Sequence, residues 1–407
     1  MDAGELARAS IGSIRAHKLR SFLTLLGIII GVTTIVLVAS VITGLNAFVA
    51  QKIIRLAPDT FVITKYGIIR SREEFVDALK RPDLGDREFE TLQRTLSKAE
   101  TIAAQVGTGG LVKYRDRSLA DVRIQGCTSN LAPLVGVELA EGRFFSEAEE
   151  QSGAAVAVIG WDVKDELYGV LDPVGREVLV AGLPHRVIGV IEQQGKILGQ
   201  SQDQQVFLPL RAWRKLYGSR STVDIVVRAR GGVEGLEGAM DEARAILRAL
   251  RHVAFKDADP FGIVTVESLQ TLWRQISAAA FILTLLVSGV SLGVGGIVIM
   301  NIMLVGVVER TREIGVRLAV GARKRDIRRQ FLLEAAFLSS GGGLVGLVAG
   351  ALGAAALRDL LGFPARTTAV IALGAVALSA AVGIMAGYWP ARSASNLPVV
   401  DALRDEP

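Results

Sequence analysis

The chain has 407 residues, half of them hydrophobic (50%), yet 21% are charged and the net charge is only +5. A mean hydropathy of +0.40 excludes an ordinary soluble fold if the apolar residues are concentrated in runs, and they are. The small basic excess sits in short segments beside those runs, so it needs no nucleic-acid partner.

Residues 1–20 carry Arg8, Arg15, Lys18 and Arg20 against Asp2 and Glu5. Ser21–Gln51 then runs for 31 residues without Asp, Glu, Lys, Arg or His. Gln275–Val308 (34 residues), Ala335–Leu357 (23) and Thr367–Ala391 (25) are charge-free in the same way. Each exceeds the roughly 20 residues that a helix needs to cross about 30 Å of hydrocarbon, which predicts four transmembrane helices. The first run is too long for a signal peptide and lacks a small-x-small cleavage site, so it is expected to remain. The two longest runs would extend about 46–51 Å as helices. Their surplus reads either as a helical stalk beyond the bilayer or as tilt within it.

Between the first two runs lies a nearly neutral stretch, 52–274, with 30 basic and 31 acidic residues. Phe61–Lys65 predicts a strand. Asp86–Ala99 predicts a helix capped by Asp86, with Phe89, Leu92 and Leu96 as its buried stripe, and Thr101–Val106 a second strand. In the middle, Val112–Tyr114 and Val122–Gln125 flank a polar turn, and short helices are expected near Leu131–Val135 and Asp162–Tyr168. Glu177–Val180 pairs with Arg186–Ile191 across Gly182-Leu183-Pro184. Toward the end come strand Thr222–Arg228, helix Val233–Leu250 and strand Ile263–Val266. The pattern predicts an α/β part, 52–110 and 211–274, interrupted by a β-rich insert, 111–210. The single cysteine, Cys127, cannot form an internal disulfide.

The loop Glu309–Glu334 holds eight basic and four acidic residues. By the positive-inside tendency, the N-terminal segment, this loop and the tail 392–407 face the cytoplasm. Residues 52–274 then lie outside, with 358–366 a short outer loop. The 309–334 loop has apolar pairs at i,i+4, Ile314/Leu318 and Ile327/Phe331, separated by Gly321. This predicts two short amphipathic helices. On the residues alone, such an element suits a docking site for a cytoplasmic partner and a basic loop on anionic lipid equally well.

Small-xxx-small spacings occur in every run: Gly27/Gly31, Gly289/Gly293, Gly342/Gly346/Gly350 and Gly383/Gly387. They allow close helix packing, within one subunit or at a dimer seam. Asn301 is expected to hydrogen-bond between helices. The strings Gly289-Val-Ser-Leu-Gly293, with Ser291 in the nucleophile position, and Gly341-Gly-Gly-Leu-Val-Gly346 resemble enzyme motifs. Both lie inside membrane runs, where neither chemistry has its structural setting. His17, His185 and His252 are scattered, and no metal site is expected.

Several strings carry a resemblance. They are Arg15-Ala-His-Lys-Leu-Arg-Ser-Phe-Leu-Thr-Leu-Leu-Gly-Ile-Ile-Ile-Gly31, Gly142-Arg-Phe-Phe-Ser146, Val156-Ala-Val-Ile-Gly160, Asp172-Pro-Val-Gly175, Val187-Ile-Gly-Val-Ile191 and, most specific, Glu309-Arg-Thr-Arg-Glu-Ile-Gly-Val-Arg317. Together they resemble the permease of the MacB/FtsX-type ABC transporter superfamily along essentially the whole chain. The resemblance implies a four-helix membrane α-helical fold with an extracytoplasmic α+β domain, made of a porter-like α/β part and an inserted β-rich part. It also implies that the loop between the second and third helices contacts an ATPase. Glu309, Arg310, Arg312, Glu313, Ile314, Gly315, Arg317, Leu318, Gly321, Ala322 and Arg323 would be the coupling residues, the charged ones pairing across the interface and the apolar ones filling a groove.

No Gly-x-x-x-x-Gly-Lys-Ser/Thr loop occurs in the sequence, and Gly195-Lys196 is followed by Ile197. Only residues 1–20 precede the first run, so ATP hydrolysis is expected from a separate ABC ATPase that binds ATP and Mg. No cofactor is expected in this chain. The other implied partners are a second permease copy or paralogue, a periplasmic adaptor and membrane lipids, in a bacterial cytoplasmic membrane. Function would be efflux of drugs, peptides or lipid-linked cargo by mechanotransmission. The alternative is an FtsX/LolC-like role in regulating a cell-wall hydrolase or extracting lipoproteins.

Overall fold

A computed structural model describes residues 18–49, 57–197 and 200–398. The expected N-terminal segment up to residue 17, with His17, and the end of the tail from 399 lie outside the described residues. The chain divides into two compact units, Val49–Trp273 and the remainder, Met1–Phe48 with Arg274–Pro407.

The chain enters through helix α1 (Lys18–Phe48). The inserted unit then begins with β1 (Thr60–Thr64), α2 (Arg72–Lys80), α3 (Asp86–Thr95), β2 (Ala99–Tyr114), β3 (Arg117–Cys127), α4 (Leu131–Leu134) and β4 (Leu139–Gly142). It continues with α5 (Glu147–Ser152), β5 (Val156–Ile159), α6 (Trp161–Tyr168), β6 (Glu177–Val180), β7 (Leu183–Ile191), β8 (Lys196–Ile197) and β9 (Gln200–Ser201). It ends with β10 (Gln205–Pro209), α7 (Leu210–Tyr217), β11 (Asp224–Ala229), α8 (Leu236–Leu250) and β12 (Gly262–Thr265).

One sheet runs through both the α/β part and the β-rich insert, in the order β12-β1-β11-β2-β3-β10-β5-β7-β4, with β6 bridging β2 and β7. Its pairs are antiparallel except β3–β10 and β5–β7, which are parallel. Both faces are covered. Along β11, Ile225 and Val227 join one core with Phe61, Leu92 and Trp213, while Val226 joins another with Phe145, Phe207 and Leu131. The same alternation in β5 explains why Val156-Ala-Val-Ile159 is apolar throughout, as a strand buried on both sides must be.

Local departures from the sequence pattern have identifiable causes. Asp86 is the first helical residue of α3, not its cap. Gly85 holds the cap position, and its N–H is taken by Glu88 Oε2 at 3.0 Å. The helix stops at Thr95 because the next donors go elsewhere: Glu242 accepts from Ser97 N at 3.1 Å and from Lys98 N at 2.9 Å. The expected helix Val233–Leu250 is split into a 3-10 turn, Gly232–Gly235, and α8. The strand expected at Thr101–Val106 extends over Ala99–Tyr114, kinked by a bulge between Gly110 and Val112. Helices α2, α5 and α7 and strands β4, β5, β8, β9 and β10 were not anticipated.

The other unit adds α9 (Val266–Glu309), α10 (Thr311–Ala319), α11 (Lys324–Leu361) and α12 (Ala369–Ser395), the boundary between units falling inside α9. Four helices, α1, α9, α11 and α12, are long and apolar enough to cross a membrane. Helix α9 is continuous over 44 residues, about 66 Å at the usual rise, and its first turns hold Glu267 and Arg274. The second of the two expected amphipathic helices is not separate: Ile327 and Phe331 lie in the opening turns of α11, which runs unbroken to Leu361.

Candidate functional site

The chain turns twice within a few residues at the ends of α9 and α10. Arg310 breaks the helix for one residue (φ −105°, ψ 14°), and α10 restarts at Thr311, whose hydroxyl returns to the carbonyl of Val307 at 3.0 Å. Glu313 sits in the first turn of α10 and Arg317 in the last, each favourable to the helix dipole, and the two form an i,i+4 ion pair. Helix α10 ends at Gly321, whose φ of +104° lies in the left-handed region. Gly321 N donates to Leu318 O at 3.2 Å and Ala322 N to Arg317 O at 3.0 Å, the two bonds of a Schellman closure. Gly321 and Ala322 therefore terminate the helix.

Burial divides the expected coupling residues. Ile314 is 4% exposed and joins Met303, Val307, Ile327, Phe331 and Ala391 in one core, with Leu318 and Ala322 packed against it. Gly315 is also buried. The stripe expected to fill a partner's groove is thus spent inside the chain. The outward face of α10 carries Arg312 and Glu313 beside Val316 (47% exposed) and Val320 (84% exposed), with Glu309, Gly321 and Arg323 at its ends. Val316 and Val320 share the i,i+4 spacing of Ile314 and Leu318, so periodicity alone does not tell which pair is outside.

The arginines divide likewise. Arg310 Nη1 reaches Glu334 Oε1 at 3.2 Å and Oε2 at 3.4 Å, and Arg317 Nη1 reaches Gln330 Oε1 at 2.8 Å. Both partners are on α11, and neither was singled out from sequence. Lys324 Nζ meets Asn396 Oδ1 at 3.3 Å, tying the start of α11 to the end of α12.

Six of the nine residues assigned to helix packing lie at crossings within the chain. Gly27 and Gly31 of α1 face Ser291, Leu292 and Gly295 of α9, Gly346 and Gly350 of α11 face Val32 and Val36, and Gly383 and Gly387 of α12 face Ala335 and Ser339. At Gly346 a Cβ would stand 2.9 Å from Ile29 O and from Val32 Cβ. A Cβ added at Gly289 or Gly293 would meet no other element within 4 Å, because the crossing uses the register two residues later. Asn301 is exposed on α9 and makes no side-chain hydrogen bond among the described residues.

Of the strings in the inserted unit, Val156–Gly160 and Val187–Ile191 fall in β5 and β7, and the other two are corners. At Gly142 (φ +76°) a Cβ would stand 2.2 Å from Ile188 O, and Gly142 pairs with Gly189 across β4 and β7. Arg143 forks onto Glu149 with two bonds of 2.7 Å, and Ser146 caps α5. The guanidinium and the capping bonds hold the Glu149 carboxyl down at about 2. In Asp172-Pro-Val-Gly175, Asp172 Oδ1 accepts from Val174 N at 2.8 Å, and Gly175 (φ +84°) turns the chain toward β6.

Comparison with known proteins bears on the same segments. The MacB-like periplasmic core domain family matches residues 21–246, and the FtsX-like permease C-terminal family matches residues 285–399. The macrolide export ATP-binding/permease protein MacB 2 of Aeromonas hydrophila is 34% identical, over 99% of this chain and 61% of its own length. The macrolide export ATP-binding/permease protein MacB of Bdellovibrio bacteriovorus is 31% identical, over 97% of this chain and 60% of its own. The chain thus spans about 60% of the length of these curated relatives. The crystal structure of the periplasmic region of MacB from Actinobacillus actinomycetemcomitans aligns with 55% of this chain and 96% of its own, at 18% identity and a TM-score of 0.46. With one family match covering more than half of its residues and a second covering most of the rest, the chain belongs to the MacB/FtsX-type ABC transporter permeases.

Proposed function

We propose that this chain is the permease subunit of an ABC-type exporter, taking ATP-driven motion from a separate ATPase at α10 and delivering it to the unit at 49–273. The observation that carries the proposal is the outward face of α10. Val316 and Val320 stand exposed between Arg312, Glu313 and Arg323 on a short helix whose opposite face is locked into the chain's core. A short helix with apolar anchors and flanking charge is suited to a groove on another protein. ATP and Mg belong to that partner, and this chain does not hydrolyse ATP. The permease works as a dimer in the bacterial cytoplasmic membrane, with both termini inside, and hands drugs, peptides or lipid-linked cargo to an adaptor outside.

The test is affinity purification from the native membrane in mild detergent, followed by an ATPase assay and mass spectrometry. The double variant Val316→Asp with Val320→Asp is run beside the native chain. An ABC ATPase should co-purify with the native chain and be lost from the variant, whose melting temperature stays native because both side chains are exposed. If no ATPase accompanies the native chain even after gentle crosslinking, the exporter reading fails. Recovery of a cell-wall hydrolase in place of an adaptor would replace efflux by the regulatory role.

A further inference from the structure

The docking face of α10 is useful only if a push on it goes somewhere. Its covalent joint to α9 is a single non-helical residue, Arg310, which by itself is a pivot. Its joint to α11 is a turn of four residues containing Gly321, another pivot. What fixes the angle of α10 is non-covalent. Arg310 is held by Glu334, whose side chain is 14% exposed, and Arg317 by Gln330. These two anchors lie four residues apart on α11, so they face the same way one helical turn apart. They grip α10 near its two ends, and Ile314 is packed between them against Ile327 and Phe331.

We infer that Gln330 and Glu334 are positioning residues that make α10 and α11 one rigid body, so that an ATPase stroke on α10 enters the membrane through α11. This inference rests on the ATPase-docking reading above. Arg310 and Arg317 then belong to the internal clamp, and of the expected coupling arginines Arg312 and Arg323 are left for the partner. From α11 the movement passes to α1, because Gly346 and Gly350 seat Val32 and Val36 with no room to slip.

The test uses the full chain with spin labels at Val320→Cys, at the tip of α10, and Leu360→Cys, at the far end of α11, both exposed. The native Cys127 is buried and stays unlabelled. A single narrow distance is expected in the labelled chain by itself, because the Val320 label occupies a docking position; co-purification and ATP hydrolysis are read on the unlabelled chain. Glu334→Gln combined with Gln330→Ala should broaden that distance and reduce ATP hydrolysis by the complex while the ATPase still co-purifies. The charge exchange Arg310→Glu with Glu334→Arg should narrow it again, which neither single substitution does. A broad distance in the native chain, or a clamp variant indistinguishable from it, overturns the inference. The distance is readable without any ATPase, so loss of the docking reading leaves a distinct signature: no co-purifying ATPase with the narrow distance intact.

Discussion

A Cβ added to Gly44 of α1 would stand 1.6 Å from the carbonyl oxygen of Pro364, in the short loop after α11. The same loop is bonded to α1 one turn earlier, where Arg366 N donates to Ser40 O at 2.9 Å and the Ser40 and Thr367 hydroxyls meet at 2.9 Å. Gly44→Ala must displace that loop. Overpacking of this kind costs about 1–3 kcal/mol, so the variant should melt several degrees below the native protein in detergent. Native-like melting would mean that the contact is far looser than described.

The helix crossings make a paired prediction. Gly346→Leu collides with Ile29 and Val32 and should lower both yield and melting temperature. Gly289→Leu, on an open face of α9, should leave the melting of the isolated subunit unchanged. Equal damage from both would show that the crossing register is wrong.

Acid stability of the inserted unit should carry the mark of Glu149. The Arg143 fork, aided by the capping bonds of Ser146, holds its carboxyl at about 2, below the ordinary 4.5. A group whose folded value is depressed stabilises fully above the unfolded value, and that contribution fades as pH falls through the folded one. Melting temperatures of native protein and Glu149→Gln should therefore differ at neutral pH and converge as pH drops from 4.5 toward 2. A gap that stays constant with pH would rule out the charge pair as its source.

Cys127 is wholly buried, and burial, reinforced by the charge of Glu150, raises its thiol well above the ordinary value. Only the thiolate reacts readily. Maleimide should leave the folded protein unmodified at neutral pH and label it stoichiometrically after denaturation, as read by intact-mass spectrometry. Rapid labelling of folded protein would show that β3 opens locally.

The four membrane helices were legible because charge-free runs that long have few other uses. The hairpin β6–β7 and the helices around Leu131 and Asp162 were legible because glycines and polar residues punctuate them, although the hairpin turns at Ala181-Gly182, with Leu183 and Pro184 already paired in β7. Strands β5 and β10 were not. Val156-Ala-Val-Ile159 and Gln205–Pro209 are buried along their whole length, and a strand covered on both faces shows no alternation to read. The segment around α10 failed differently. Ile314/Leu318 and Val316/Val320 have the same spacing and lie on nearly opposite faces of one helix, so only the neighbouring α11 decides which pair is inside. Ser291/Gly295 and Gly289/Gly293 raise the same ambiguity on α9, since period fixes a stripe but not the depth at which another helix crosses it.

The position of β1 has a consequence for how the protein is made. It is the first strand of the inserted unit to be synthesised, yet it lies between β11 and β12, the last two. Until residues from Asp224 onward have emerged, Phe61 and Ile63 have neither a ladder partner on one side nor on the other. Pairing across so long a stretch of chain is slow, and an unpaired apolar strand invites wrong partners while it waits. Folding of this unit is therefore tied to completion of its translocation, and a chain truncated just before β11 should aggregate rather than fold in part.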